Sequence, residues 1–224
     1  MRTLQKLILF YGFVLLFLFL AVFFVSLESP TGRLTTGSGF VSAYVIEQCS
    51  KTFVNGWSLF SICSNETNTS FQNILGAAYT GTRFILRWNA TLQAFQVWSP
   101  LLASPSFTDF DLDEAAFVLK ANTAEFITFN GTFFEDRTIN LAGGYNAVAY
   151  PYTFTADVGD YLSTINGQFR FVLKWDDNQQ QFLIYSPLAA SPEFTTISKG
   201  QGQFILVNDT GGATLFYNKT ELQT

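Results

Sequence analysis

The stretch of the sequence with the most chemical potential is DFDLDE, Asp109–Glu114, in which carboxylates alternate with apolar residues. Carboxylate oxygens are the ligands that Ca²⁺ prefers, which makes Asp109, Asp111 and Asp113 a candidate calcium site. The stretch lacks the turn glycine and the closing glutamate of an EF-hand loop, and its alternation is typical of a strand with one acidic face. We therefore favour a strand over a metal site, and we expect no bound metal or other cofactor.

Catalytic groups are scarce in this chain. It contains no histidine, and its only cysteines are Cys49 and Cys63. A serine or cysteine nucleophile would lack an imidazole base, and zinc sites built from histidine or from several cysteines are excluded. The acidic residues show no spacing that selects a pair for glycoside hydrolysis, and there is no glycine-rich phosphate loop. We expect a protein that is not an enzyme.

Aromatic side chains are the remaining candidates for binding, because the chain has 26 Phe, 9 Tyr and 4 Trp. Trp57, Trp98 and Tyr185 are candidate platforms on which sugar rings would stack, as in a carbohydrate-binding module. Duplicated aromatic residues in alternating strands are more often part of a core, so packing is the alternative role for these side chains. The same aromatic content favours β-strands.

The charge of the chain argues against two classes of partner. The formal net charge is −5, and two of the 12 basic residues, Arg2 and Lys6, precede the first hydrophobic run. Nucleic acids and anionic lipid headgroups both attract clustered Lys and Arg, which the acidic body does not offer. We expect no nucleic-acid partner. The expected partner is a protein or a glycan outside the cell, and self-association is left open.

The N-terminal residues predict how the chain meets a membrane. A basic tail at 1–6 precedes an apolar segment at 7–26 that is long enough for one transmembrane helix, and a flexible stalk follows at 27–39. Positive charge before the apolar segment places the tail in the cytoplasm and the C-terminal domain outside the cell membrane. A long cleaved signal peptide is the alternative, and it would make the protein secreted.

Two further features are typical of an extracytoplasmic protein. In an oxidising compartment Cys49 and Cys63 would form a disulfide, since they belong to no metal-binding pattern. The chain also carries sequons for N-glycosylation, at Asn65, Asn68, Asn89, Asn130, Asn208 and Asn218. Both features predict a disulfide-bonded glycoprotein.

An internal duplication determines the predicted architecture. Residues 83–108 and 170–195 align without a gap, and about half of the aligned positions are identical, including an SPLxASP string in both copies. In each copy, apolar residues alternate on both sides of a polar turn, which predicts a β-hairpin. The prolines of SPLxASP are expected to end the second strand, and Phe107 and Phe194 to return the chain to the core.

The strings that open and close each copy resemble a known β-repeat. GWSLFSI and GGYNAVAYP open the copies, and EAAFVLKANTAEFITFNG and GQGQFILVNDTGGATLFYN close them. From Thr52 to Asn218 the chain resembles the tandem β-repeat of archaeal and bacterial cell-surface proteins, with a Gly-Trp-Asn-like opening and a Gly-Tyr-Trp-Ile-like closing strand. The resemblance implies a cell-surface β module without catalytic residues, although Ala115 and Ala116 replace the closing glycines of the first copy.

These observations predict an all-β ectodomain of two tandem duplicated antiparallel β units, sandwich- or barrel-like, after one N-terminal transmembrane helix. The first unit spans 40–134, with a leading strand at Phe40–Glu47, and the second spans 135–224. The expected protein is membrane-anchored and N-glycosylated, with a structural or interaction role as an envelope component, an adhesin or a receptor. One alternative is a secreted filament subunit assembled by strand addition of Phe40–Glu47, and another is a carbohydrate-binding module.

Overall fold

The computed structural model describes residues 49–121, 125–129, 132 and 134–222. The predicted tail, apolar segment, stalk and leading strand lie outside these residues. Within the described part of the chain, no helix is long and apolar enough to cross a membrane. The described residues are mostly β-strands in several antiparallel sheets, which confirms the all-β expectation.

The described chain consists of two halves, a first half at residues 49–134 and a second half at residues 135–222. The first half contains β1 (Cys49–Phe53), β2 (Gly56–Phe60), α1 (Phe71–Leu75), a 3₁₀ helix (Gly76–Tyr79), β3 (Thr82–Asn89), β4 (Ala94–Trp98), β5 (Ala116–Lys120) and β6 (Glu125–Phe129). The second half contains β7 (Arg137–Leu141), β8 (Gly144–Ala149), β9 (Ala156–Asp157), α2 (Val158–Tyr161), a 3₁₀ helix (Ser163–Ile165), β10 (Phe169–Asp176), β11 (Gln181–Tyr185), β12 (Thr196–Ile197), β13 (Gly202–Val207), β14 (Ala213–Tyr217) and α3 (Lys219–Leu222).

The two halves have the same strand order. In the first half the main sheet runs β2–β5–β3–β4 and β1 pairs with β6; in the second half the main sheet runs β8–β13–β10–β11 and β7 pairs with β14. The central strands β3 and β10 also carry an irregularity at the same place, just after Thr82 and just after Phe169. The duplication in the sequence is therefore matched by a duplication of the sheet topology.

The predicted hairpins are β3–β4 and β10–β11. Across each hairpin, a tryptophan of the first strand faces a phenylalanine of the second. Each turn ends at a glutamine with a left-handed backbone, Gln93 at φ 51° and Gln180 at φ 54°. This conformation is uncommon for a residue other than glycine, asparagine or aspartate, and the two turns share it.

These two glutamines join the halves to each other. Gln93 accepts a hydrogen bond from the backbone N–H of Tyr145 at 2.8 Å and donates one to the carbonyl of the same residue at 3.0 Å. Gln180 makes the same two bonds with Trp57, both at 2.8 Å. Tyr145 and Trp57 occupy the same place in the edge strands β8 and β2, so each hairpin binds the edge strand of the opposite half. We refer to these reciprocal contacts as the glutamine clasp.

Two tryptophans add a third bond to each side of the clasp. The indole N–H of Trp88 donates to the carbonyl of Tyr145 at 2.7 Å, and that of Trp175 donates to the carbonyl of Trp57 at 3.0 Å. Each such bond contributes about 1 kcal/mol in a folded protein. The bonds also orient the indole rings, because a tryptophan has only this one donor.

An aromatic cluster fills the space between the two main sheets. Phe117 of β5 and Phe204 of β13 stack with 6.0 Å between ring centroids and an interplanar angle of 28°. Aromatic rings of both hairpins meet this pair edge to face. The two halves thus share a buried cluster, and the described residues form one compact unit.

Each half also has its own core, and the two cores are stabilised by different bonds. In the first half a disulfide joins Cys49 to Cys63, whose Cα atoms are 5.9 Å apart. In the second half, Arg137 occupies in β7 the place that Cys49 occupies in β1. There, the hydroxyl groups of the buried Tyr152 and Tyr217 donate to backbone carbonyls at 2.7 Å and 3.2 Å.

The clasp predicts that replacing Gly144 destabilises the fold. A Cβ added to Gly144 (φ +95°) would lie 2.6 Å from Oε1 of Gln93, whereas one added to Gly167 (φ +79°) meets nothing within 4 Å. Alanine at either site carries a left-handed backbone cost of about 1–2 kcal/mol. We expect Gly144→Ala to lose roughly 2 kcal/mol more than Gly167→Ala in urea unfolding, because two clasp bonds break.

Gly167→Ala is the matched control, since it has the same backbone cost without the contact. Adding Gln93→Ala to Gly144→Ala should reduce the free energy of unfolding little further, because the bonds that it removes are already broken. Equal losses for the two single glycine variants would show that the clasp does not stabilise the fold.

The disulfide predicts a second stability difference. The bond closes a short loop, with a sequence separation of 14. Replacing Cys49 and Cys63 together by serine should lower the free energy of unfolding by about 3 kcal/mol. Reduction of the wild type should give the same loss in urea unfolding, while reductant should leave the double variant unchanged. A wild type that is insensitive to reductant would contradict the prediction.

Candidate functional site

The three candidate sugar-stacking residues lie in different parts of the structure. Trp98 is only 7% exposed and packs in the core of the first half, 5.1 Å from Phe71 between ring centroids. Tyr185 packs against the core of the second half, and Trp57 takes part in the glutamine clasp. The structure therefore does not bring these side chains together into one platform.

The DFDLDE stretch is not a strand, and that prediction is wrong. After a single bridge at Asp109, the chain bends through residues 110–115 without regular structure. Asp111 accepts a hydrogen bond from the N–H of Asp113 at 2.8 Å, and such local bonds compete with a β-ladder. Asp113 pairs with Arg137. In the part of the chain that the structure describes, no group of three or more His, Cys, Asp or Glu side chains is placed to hold a metal ion.

The sequon asparagines within the described residues lie at the surface. They are Asn65, Asn68 and Asn208, which are exposed, and Asn89 and Asn218, which are partly exposed. Asn130 is outside the described residues. No sequon asparagine that the structure describes is buried, so each of these side chains can be reached from solvent.

The duplicated SPLxASP string forms the connection that follows β4 in the first half and β11 in the second. Phe107 and Phe194, which come just after it, are 7% and 8% exposed and belong to the two cores. Leu101 and Leu188 within the string are 92% and 93% exposed. The string is therefore a structural connection that also carries, in both copies, a leucine that neither core contacts.

A cleft with a volume of about 320 Å³ lies beside the DFDLDE stretch. Its walls are formed by Trp88, by the carboxylates of that stretch, and by strands β7 and β8. Its polar lining residues are Asp111, Asp113, Glu114, Thr138, Asn140 and Asn146. We refer to it as the Trp88 cleft, and it is the candidate functional site.

Two arginines balance much of the acid in the cleft. Arg137 forms an ion pair with Asp113 at 2.5 Å, and Nε of Arg87 lies 3.8 Å from the carboxylate of Glu114. Burial, with repulsion from Asp111, raises the pKa of Glu114 to about 7, while Arg87 acts in the opposite direction. At neutral pH this carboxyl group is thus protonated in about half of the molecules and can donate as well as accept a hydrogen bond.

An ion pair occupies the two positions that the duplication matches to Ile139 and Ala90 of the cleft. Nζ of Lys51 lies 2.6 Å from the carboxylate of Asp177. In the cleft itself, the strand register places Ile139 where Lys51 would be, and the sequence alignment places Ala90 where Asp177 would be. Neither Ile139 nor Ala90 is charged, so the cleft lacks the ion pair that Lys51 and Asp177 form at the matching positions.

Sequence reasoning does not single out the residues that shape this region. Gln93 and Gln180 are identical in the aligned copies and stand at the ends of polar turns, which is the signal that a sequence-based search for them would use. Glu114 carries no such signal, because it belongs to an acidic stretch that also fits a solvated surface. Only the folded chain places it under partial burial beside Arg87.

The comparisons with known proteins give no relative. A scan against protein-family models finds no match, and searches of curated proteins and of solved structures find none either.

The raised pKa of Glu114 predicts a pH dependence of stability. Because the folded chain binds this proton more tightly than the unfolded chain, whose ordinary value is 4.5, the folded state carries extra protons between about pH 4.5 and 7. The free energy of unfolding should therefore fall as the pH rises through this window. After discounting for solvent screening of the half-exposed carboxyl group, the fall is on the order of 1 kcal/mol.

Urea unfolding of wild type and Glu114→Gln across this window measures the effect, and glutamine is the residue that the second half carries at the matching position, Gln201. The variant should show a flatter pH dependence than the wild type. Asp111→Asn should lower the pKa of Glu114 in a carboxyl NMR titration, since Asp111 raises it. Parallel stability curves for wild type and Glu114→Gln would contradict the assignment.

Proposed function

We propose that this chain is a membrane-anchored, N-glycosylated cell-surface protein with a structural or interaction role. The observation that carries the proposal is the surface position of every sequon asparagine that the structure describes. The predicted apolar segment at 7–26 supplies the anchor in this proposal, and the acidic body after it supplies the domain outside the cell.

The geometry of two sequons suits a glycan. Asn89 is the last residue of β3, just before the hairpin turn, where its Oδ1 accepts from the N–H of Leu92 at 2.8 Å. Oδ1 of Asn68 accepts from the N–H of Ser70 at 3.1 Å. A glycan is attached to Nδ2, and both turns use the oxygen instead, so glycosylation at either site is compatible with the observed turn.

The cysteine pair supports a domain in an oxidising compartment. Cys49 and Cys63 are at disulfide distance, and they close a loop of the first core. Disulfides of this kind persist outside the cytoplasm and are rare inside it. The cysteine pair and the positive tail together support the proposal that the domain lies outside the cell membrane and the tail in the cytoplasm.

The residues that the two copies share support a role in structure or interaction. The shared glutamines, tryptophans and phenylalanines of the hairpins form the clasp and the aromatic cluster. They are therefore used to hold one compact body together. A body of this kind on a predicted stalk at 27–39 suits an envelope component, an adhesin or a receptor.

The intact mass of the native protein tests the anchor. After enzymatic removal of glycans, the proposal predicts a mature chain that retains residues 7–26. It also predicts that the protein stays in the membrane pellet after carbonate extraction. A deglycosylated chain that begins between Ser26 and Pro30, recovered in the soluble fraction, would contradict the anchor and favour the secreted form.

Single Asn→Gln variants test the glycans. Replacing Asn65, Asn68, Asn89 or Asn208 should remove the mass of one glycan at each occupied site. Asn166→Gln is the matched control, because Asn166 is exposed but belongs to no sequon, and its mass should not change. If none of the four sequon variants loses mass in the native host, the protein is not a glycoprotein at these sites.

A further inference from the structure

We propose that the Trp88 cleft is a binding site for a neutral sugar residue of a glycan, which would pack against Trp88 and hydrogen-bond to the polar lining. The inference rests on the interaction role proposed above, because it names the ligand class for that role. It uses residues that differ from the three stacking candidates of the sequence, of which none lines this cleft.

The aromatic wall of the cleft is held in position. Trp88 is half-buried, its indole N–H is bound to the carbonyl of Tyr145, and the ring of Phe95 meets it edge to face at 4.8 Å between centroids. Aromatic side chains that are apolar on the face and fixed at the edge are suited to pack against the apolar face of a sugar. Because the ring is already ordered, little conformational entropy is lost when a ligand binds.

The size and polar lining fit a small polyhydroxyl ligand. The volume of about 320 Å³ is at the lower end of the range of small-molecule sites. Thr138 and Asn140 are exposed side chains of β7, so a hydroxyl and a carboxamide are available to sugar hydroxyls. Asn146 is already bound to the carbonyls of Ala142 and Gly144, and it forms a fixed part of the wall.

The charges favour a neutral ligand over a cation. Asp113 is paired with Arg137, and Glu114 has Arg87 close to its carboxylate. Because the pKa of Glu114 is raised to about 7, this group offers both a donor and an acceptor near neutral pH. A sugar hydroxyl needs both kinds of partner, whereas an ammonium ion needs acceptors alone.

The duplicated positions supply the controls. Lys51 and Asp177 form an ion pair where the cleft has Ile139 and Ala90. The double variant Ala90→Asp/Ile139→Lys introduces the same two side chains at the cleft, and we expect their ion pair to close it. The variants Trp88→Leu and Trp175→Leu form a matched pair, because each removes one indole bond of the clasp and only Trp88 lines the cleft.

The test uses the full chain in a detergent without a sugar headgroup, titrated with maltotriose, cellotriose, mannotriose and chitotriose. Saturation-transfer NMR and calorimetry should detect binding of at least one trisaccharide. Trp88→Leu and the cleft-closing double variant should each weaken that binding at least about tenfold, the effect of roughly 1.4 kcal/mol. Trp175→Leu should bind as the wild type does, and circular dichroism checks that all three variants are folded.

Three results would overturn the proposal. They are the absence of binding of every trisaccharide to the wild type, an equal loss in Trp175→Leu and Trp88→Leu, and binding of Nα-acetyl-lysine methyl ester in place of the sugars. The last result would show that the cleft binds a cation, as Asp177 binds Lys51 at the matching position. Failure here leaves the mass and fractionation tests of the cell-surface proposal unaffected, so the two failures are distinguishable.

Discussion

Reciprocal hydrogen bonds from two hairpin glutamines to the backbone of the opposite half are the interaction on which the described structure depends. An edge strand leaves N–H and C=O groups without a ladder partner, and a carboxamide can satisfy both because it carries a donor and an acceptor side by side. Gln93 and Gln180 reach these groups from left-handed turn positions, and Gly56 and Gly144 leave the room for them. The contact is made twice and joins the two main sheets, together with backbone bonds such as Ala149 N–H to Asp113 C=O at 2.9 Å, and the aromatic cluster packs between the sheets.

Away from this clasp the two copies have diverged. The first core is closed by a disulfide at Cys49 and the second by tyrosine hydroxyl groups bonded to backbone carbonyls. The same divergence places Ile139 and Ala90 at the Trp88 cleft, while Lys51 and Asp177 form an ion pair at the matching positions. The glutamines and tryptophans of the clasp are retained in both copies, whereas the contact between Lys51 of the first half and Asp177 of the second has no equivalent at Ile139 and Ala90.

The candidate site follows from this loss of symmetry. Two of its three acidic side chains, Asp113 and Glu114, lie beside Arg137 and Arg87, and its tryptophan is oriented by a bond of the clasp. An arrangement of this kind offers a ligand fixed hydrogen-bonding groups and an aromatic wall. It agrees with a surface protein that contacts a partner outside the cell, which is the role proposed here.

The sequence alone determined the β-rich character, the internal duplication and both hairpins, because alternation with a period of two and identical aligned positions are local signals. It also determined the cysteine pair, since only two cysteines are present. Tertiary structure alone decided three further points: that DFDLDE bends instead of forming a strand, that Trp98 is buried, and that Glu114 titrates near neutral pH. Each of these depends on contacts between residues far apart in the chain, or on competition between a local side-chain bond and a β-ladder. Neither long-range contacts nor this local competition leaves a periodic pattern in the sequence.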